Sequence, residues 1–124
     1  MQREEKENKR RLGTEKEELA MAYLKKAGYH ILAHSFRCRM GEIDVIAEDE
    51  AYLVFIEVKY RRNSASSGLP EYAVPLKKQR TISRVAMYYL TTQKKRTDIP
   101  CRFDVVAIDG EEIRLHKNAF SYIG

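Results

Sequence analysis

Apolar residues along this chain repeat with two spacings, and the switch between them marks out helices and strands. Leu19, Ala20, Tyr23, Leu24 and Ala27 recur at three and four, the period of a helix with one buried face. Thr14 reads as its N-cap, with Glu15, Glu17 and Glu18 near the positive end of the helix dipole, and Gly28 as its stop. Residues 1–12 carry almost only polar side chains and no apolar stripe, which predicts a frayed or disordered lead-in, with helix reserved for a bound state.

Beyond Gly28 the period falls to two. Residues 29–39 predict a first strand, Met40-Gly41 a break, residues 42–47 a second strand and Glu48-Asp49-Glu50 a tight connection. Residues 52–60 give the strongest strand pattern. Val54, Ile56 and Val58 alternate with Leu53 and Phe55, so both faces are apolar, as in a central strand covered on each side. Residues 61–70 read as a loop. A helix over 74–92 carries Ile82, Val85, Ala86, Tyr89 and Leu90 on one stripe, and strands follow over 102–109 and 112–116. The order helix, three strands, helix, strands predicts an α/β fold, a mixed central sheet flanked by helices, in a single domain over 13–124.

Composition changes this picture in two ways. Charged residues make up 33% of the 124 positions with a net charge of +5, which favours polyanionic partners through long-range attraction. The first residues are charged where a secretory signal needs an apolar run, and no uncharged stretch is long enough to cross a bilayer, so a cytoplasmic protein without membrane contact is expected. Cys38 and Cys101 have no CxxC spacing, which argues against structural zinc and fits reduced thiols.

The charges on the central strand are the conspicuous feature. Successive residues of a strand face opposite ways, so Glu57 and Lys59 share a face with Phe55. A hairpin turning at Glu50-Ala51 has cross-strand partners of constant sum, placing Asp44 opposite Glu57 and Glu42 opposite Lys59. Two facing carboxylates repel and one is pushed toward its protonated form, unless a divalent cation lies between them. Magnesium selects carboxylate and carbonyl oxygen, so Asp44, Glu57 and the Val58 carbonyl form a candidate ligand set. Lys59 beside them could stabilise developing negative charge or help deprotonate a water. Glu42 is read as a structural partner of Lys59. Ordinary cross-strand ion pairs are the bland alternative for each residue taken singly.

Asp44 followed by Glu57-Val58-Lys59 on the next strand resembles the D…(D/E)xK signature of the PD-(D/E)xK nuclease superfamily. A longer ordered series resembles the YraN family of bacterial proteins: Glu17-x-x-Ala20-x-x-Tyr23-Leu24, Gly28-Tyr29, Gly41-Glu42-Ile43-Asp44, Phe55 to Lys59, Arg102 to Val106 and Asn118-Ala119-Phe120. The resemblance runs from about Gly13 to the end. It implies a restriction-endonuclease-like fold similar to archaeal Holliday-junction resolvases, and a magnesium-dependent (or manganese-dependent) endonuclease acting on DNA rather than RNA, at branched or recombining structures. It also implies a catalytic role for Glu17, the counterpart of a glutamate on the first helix. Helical spacing agrees, since Glu17 shares a face with Ala20 and Leu24 while Glu18 falls with Ala22 and Lys25. A homodimer is expected, each site being small.

Basic residues flank the acidic group, as phosphate positioning requires. Arg37 and Arg39 precede it, Arg61 and Arg62 follow it, and Lys77, Lys78, Arg80 and Arg84 open the second helix. The resemblance sets Lys78 or Gln79 near the active site. Asp104 reads either as a further ligand or as a buried partner for Arg102, and His30, His34 and His116 as ordinary surface or edge residues. Two other functions stay open: a nucleic-acid-binding module that keeps the fold without cutting, and a protein-interaction domain whose hairpin charges only pair with one another.

Overall fold

A computed structural model describes residues 2–61 and 69–124, with residues 2–9 described by backbone alone. The elements are α1 (Gln2–Lys26), β1 (His30–Cys38), β2 (Gly41–Asp49), β3 (Tyr52–Arg61), α2 (Leu76–Tyr89) with a π-helical turn at Leu90–Lys94, β4 (Cys101–Asp109) and β5 (Glu112–Phe120). The five strands lie in the order β1-β2-β3-β4-β5, and only β3 and β4 run parallel. Parallel neighbours need a crossover, and α2 lies within it. The result is a mixed sheet with one helix on each face. Arg62 and the rest of the loop read over 61–70, as far as residue 68, lie outside the described residues.

Each helix closes its own core. Ile82, Val85, Ala86 and Tyr89 of α2, with Leu90 just beyond it, pack on Ile46, Leu53, Phe55, Phe103 and Val105. Ala20 and Leu24 of α1 pack on Val45, Val54, Ile56, Val106 and Ile108. β3 therefore feeds alternate side chains to both cores, as its two apolar faces require.

Several boundaries differ from the sequence reading. α1 begins at Gln2, so Thr14 is an exposed interior residue and not a cap. The preceding stretch is mostly Glu, Lys, Arg and Gln, good helix formers, and one glycine at position 13 costs only about 1 kcal/mol. Leu19 is 45% exposed and Ala27 is exposed too, so α1 buries a narrower stripe than its spacing predicts. α2 starts after Pro75, because the residue before a proline is kept out of helical geometry. Arg39 lies in the turn after β1. β5 continues past His116 because Asn118, at φ 55°, absorbs an irregularity in its pairing with β4 and carries the strand on to Phe120.

One irregularity shapes the site. Along β2, Ile43 belongs to the α2-side core while Val45 and Ala47 belong to the α1 side, so the alternation breaks once between Ile43 and Val45, at Asp44. On β1, Ala33 and Phe36 both face the α2 side, three positions apart, with Ser35 at φ 49° between them. The pairs His34↔Val45 and Phe36↔Ile43 put Ser35 beside Asp44, so the two strands turn over together. Gly41 fixes the start of β2 under α2. At its φ of 152° a Cβ would stand 2.5 Å from the Thr81 methyl, so only glycine allows this approach.

Candidate metal centre

The β2–β3 ladder follows the expected constant sum from Asp49↔Tyr52 to Val45↔Ile56, and Val45↔Ile56 is its last pair. Asp44 and Glu57 flank the point where the strands part. The Val58 N–H, freed from the ladder, donates to Asp44 Oδ2 at 2.8 Å. Val58 thus meets Asp44 through its N–H.

With the alternation broken, Asp44 reaches the α1 side. It lines a cavity of about 240 Å³ with Lys16, Glu17, Val58 and Tyr60. Carboxylate oxygens of Glu17, Glu42 and Asp44 lie within 4.8 Å of one another, an arrangement of oxygen donors that suits a hard cation. Glu17 is oriented by the Ser35 hydroxyl, which donates to Oε2 at 2.7 Å. Glu42 has one exposed partner, Arg37 at 3.1 Å. It does not pair with Lys59: the ladder ends before those positions meet, and this corrects the partner expected from the register.

Glu57 and Lys59 look to the α2 side. Glu57, only 9% exposed, is met by Lys78 Nζ of α2 at 3.2 Å. Lys59 donates to the Ala73 carbonyl. Both line a small cavity of about 70 Å³ with Ala73, Val74, Pro75 and Lys78. The structure therefore gathers Asp44, Glu17 and Glu42, keeps Glu57 close behind Asp44, and sets Lys59 apart from the three.

The electrostatics follow from crowding. Burial, and then repulsion from Glu57, push the Asp44 carboxyl up to about 7, against the stabilising Val58 N–H. Glu17 is raised chiefly by burial, with the Ser35 hydrogen bond opposing and Asp44 and Glu42 adding repulsion. Burial, followed by the nearby Arg61, lowers Lys59. Burial and the crowding of carboxylates raise Asp44 and Glu17, while Arg37 and Lys78 pair with Glu42 and Glu57 beside them.

The basic rim is divided. Arg39, Lys77, Arg80 and Arg84 are exposed. Arg37 is engaged by Glu42, Lys78 by Glu57, and Arg61 lies 3.8 Å from Glu71 and 3.9 Å from Asp109. Gln79, read as an alternative to Lys78 near the site, donates its side-chain N–H at 2.8 Å to the carbonyl of Val74, which lines the cavity of Glu57 and Lys59.

Asp104 resolves toward structure. It is fully buried and accepts from Arg102 twice at 2.8 Å, from the Tyr29 hydroxyl at 2.7 Å and from the Asn118 N–H at 2.9 Å. Arg102 also reaches Asp49 at 2.8 Å. Two participants escaped the sequence reading. The register predicts Lys59 as the partner of Glu42, although the spacing of Ile43, Val45 and Ile46 already departs from strict alternation and signals the break. Glu71 lies outside every motif, and nothing local marks it. Its contacts include His116, so that histidine has a defined charged partner.

Fold and site together define a mixed α/β domain that carries a cluster of oxygen donors between its sheet and its first helix. The chain belongs to the uncharacterised protein family UPF0102, whose family model matches residues 16–108. A UPF0102 protein of Lachnoclostridium phytofermentans is 51% identical, over 94% of this chain and 98% of its own. Others from Syntrophus aciditrophicus and Caldicellulosiruptor saccharolyticus are 48% and 45% identical, over 89% and 91% of this chain and 88% and 99% of theirs. Among the described residues, no helix is long and apolar enough to cross a membrane.

Proposed function

We propose that this protein is a divalent-metal-dependent endonuclease of restriction-endonuclease-like fold, of the PD-(D/E)xK kind, hydrolysing phosphodiester bonds of DNA at branched or recombining structures. The observation that carries the reading is the convergence of Glu17, Glu42 and Asp44, with Glu57 behind Asp44, at the parting of two strands. Packing gives no reason to gather these carboxylates, and their mutual repulsion costs stability unless a cation offsets it.

The donors fit magnesium or manganese: the clustered side chains offer carboxylate oxygens, and burial with repulsion from Glu57 makes Asp44 hold a proton more tightly than an ordinary carboxyl. Glu17, Glu42 and Asp44 would hold the cation, with Glu57 and the Val58 carbonyl completing the set. A cation bound there supplies Lewis acidity and a water of lowered pKa. Exposed Arg39, Lys77 and Arg80, with Arg37 and Arg61 at the edges and Arg62 after them, would take the phosphates.

A second reading, a nucleic-acid-binding module that does not cut, is favoured by one observation: Lys59 donates to the Ala73 carbonyl and stands apart from the three clustered carboxylates. One experiment separates the two. Labelled linear, flapped and four-way DNA is incubated with wild type and Glu57→Gln under magnesium and under manganese, beside calorimetric metal titration of both proteins. Cleavage by wild type that Glu57→Gln abolishes supports the endonuclease. DNA binding without metal and without cleavage supports the module.

A further inference from the structure

The segment over residues 69–75, between β3 and α2, crosses the sheet as a strap. In the register, Lys59 pairs with Ala107 and Ala107 with Arg114, so these three form one row across β3, β4 and β5; Glu57, Val105 and His116 form the next. The strap lies over both rows. Its Ala73 carbonyl takes the Lys59 ammonium at one end of the first row, and its Glu71 carboxylate takes Arg114 at the other.

Glu71 is the anchor. Arg114 reaches it through Nε at 2.8 and 2.9 Å and through Nη2 at 2.6 Å, and His116 reaches Oε2. Paired hydrogen bonds from one guanidinium to one carboxylate fix direction as well as distance. Tyr72 lies against the His116 ring, with centroids 5.0 Å apart. The Ala73 N–H closes a turn on the Pro70 carbonyl at 3.0 Å, and Val74 sinks into the α2-side core. Pro70 and Pro75 bracket the strap and restrict its backbone. Only Tyr72 stands between Glu71, the anchored carboxylate, and Ala73, whose carbonyl holds Lys59, so a shift of one displaces the other.

We infer that Glu71 is a positioning residue for Lys59: by clasping Arg114 and His116 it pins the strap so that the Ala73 carbonyl keeps the Lys59 ammonium on the wall of the cavity it shares with Glu57. This rests on the proposed endonuclease only in supposing that Lys59, the lysine of the D…(D/E)xK pattern, takes part in the chemistry; the clasp itself is a matter of geometry.

The test measures Lys59 directly. The full chain is treated over a series of pH values with limiting acetylating reagent, and the rate constant of each lysine's free amine, separated from its ionisation by the pH series, is read by peptide mass spectrometry, with exposed Lys77 as internal reference. In wild type Lys59 labels more slowly than Lys77. In Glu71→Gln its rate rises severalfold, whereas in Glu112→Gln, which removes an Arg114 partner outside the strap, it does not change. An unchanged Lys59 rate in Glu71→Gln overturns the clasp. Should that variant not fold, a salt series on wild type decides: screening of the Glu71 ion pairs raises the Lys59 rate relative to Lys77, and a flat response overturns the proposal. On DNA, Glu71→Gln lowers kcat with little change in KM. Absence of cleavage in wild type would remove the endonuclease reading and leave the labelling result to judge the clasp alone.

Discussion

Two aspartates, Asp44 on β2 and Asp104 on β4, sit in matching situations and end in opposite states. Each lies beside an edge strand that breaks its regularity with a left-handed residue, Ser35 at φ 49° on β1 and Asn118 at φ 55° on β5. Around Asp104 every neighbour donates: the Arg102 guanidinium, the Tyr29 hydroxyl and the Asn118 N–H. Around Asp44 one N–H donates, while the carboxylates of Glu17, Glu42 and Glu57 crowd it beside an open cavity. The same backbone device thus serves to lock one acid into the framework and to leave the other in want of a counter-charge. Burial alone does not tell whether an acid is satisfied; the sign of what surrounds it does.

The comparison can be broken most forcefully at Arg102. Arg102→Met leaves Asp104 buried without its cation and should cost about 3–5 kcal/mol in urea denaturation, with or without divalent metal. A loss that metal restores would put Asp104 on the same footing as Asp44. At the other aspartate the sign reverses. Asp44 ionises at about 7 in the folded protein against the ordinary 3.8, so the folded state holds the proton more tightly than the unfolded chain. Its contribution to stability therefore falls as pH rises from near 4 to near 7 and stays low above that. Asp44→Asn, which keeps an oxygen for the Val58 N–H, should stabilise metal-free protein at pH 8 by about 1–3 kcal/mol. If the proposed metal centre is right, manganese raises the Tm of the wild type and Asp44→Asn abolishes that rise. Destabilisation of the metal-free protein by this change would mean that the carboxylates are already balanced.

Glu71 supplies a third, smaller measurement. The Arg114 hydrogen bonds, with His116 and Arg61 also facing it, hold its carboxyl at about 2, below the ordinary 4.5. A depressed acid stabilises fully above its unfolded pKa and loses that contribution as pH falls through the folded value. Thermal melts between pH 5 and pH 2 should show a decline that Glu71→Gln flattens, by about 1–2 kcal/mol. The smallest effects belong to the two left-handed residues. Ser35→Gly relieves strain but loses the hydrogen bond to Glu17, and these terms of about 1 kcal/mol each nearly cancel. Folding stability should hardly change while manganese affinity falls, whereas Asn118→Gly should leave manganese affinity intact.

Much of this arrangement was legible in the residues. The two-sided apolar pattern of 53–58 placed β3 in the middle of the sheet, and the turn at Glu50 set the β2–β3 register correctly as far as Val45↔Ile56. The failure came one step later. A constant-sum register assumes that alternation persists, and it stops at Asp44 because Ser35 on the neighbouring strand takes a conformation that serine seldom adopts. Glu42 was therefore assigned to the wrong partner. The helical period on α1 located Glu17 on the inward side but overstated the buried stripe, since Leu19 is exposed. Glu71 was out of reach, because its role depends on strands that follow it by some forty residues.

The parallel pairing of β3 with β4 also bears on how the molecule is made. Glu17, Glu42, Asp44 and Glu57 all belong to α1 and the antiparallel β1–β3 meander, whose contacts close over short loops. The β3–β4 ladder must wait for a segment that begins only at Cys101. On a ribosome, the repelling carboxylates emerge before the strands that will cover and brace them, and a cation captured at that stage would favour the native meander before the second half of the chain has been synthesised.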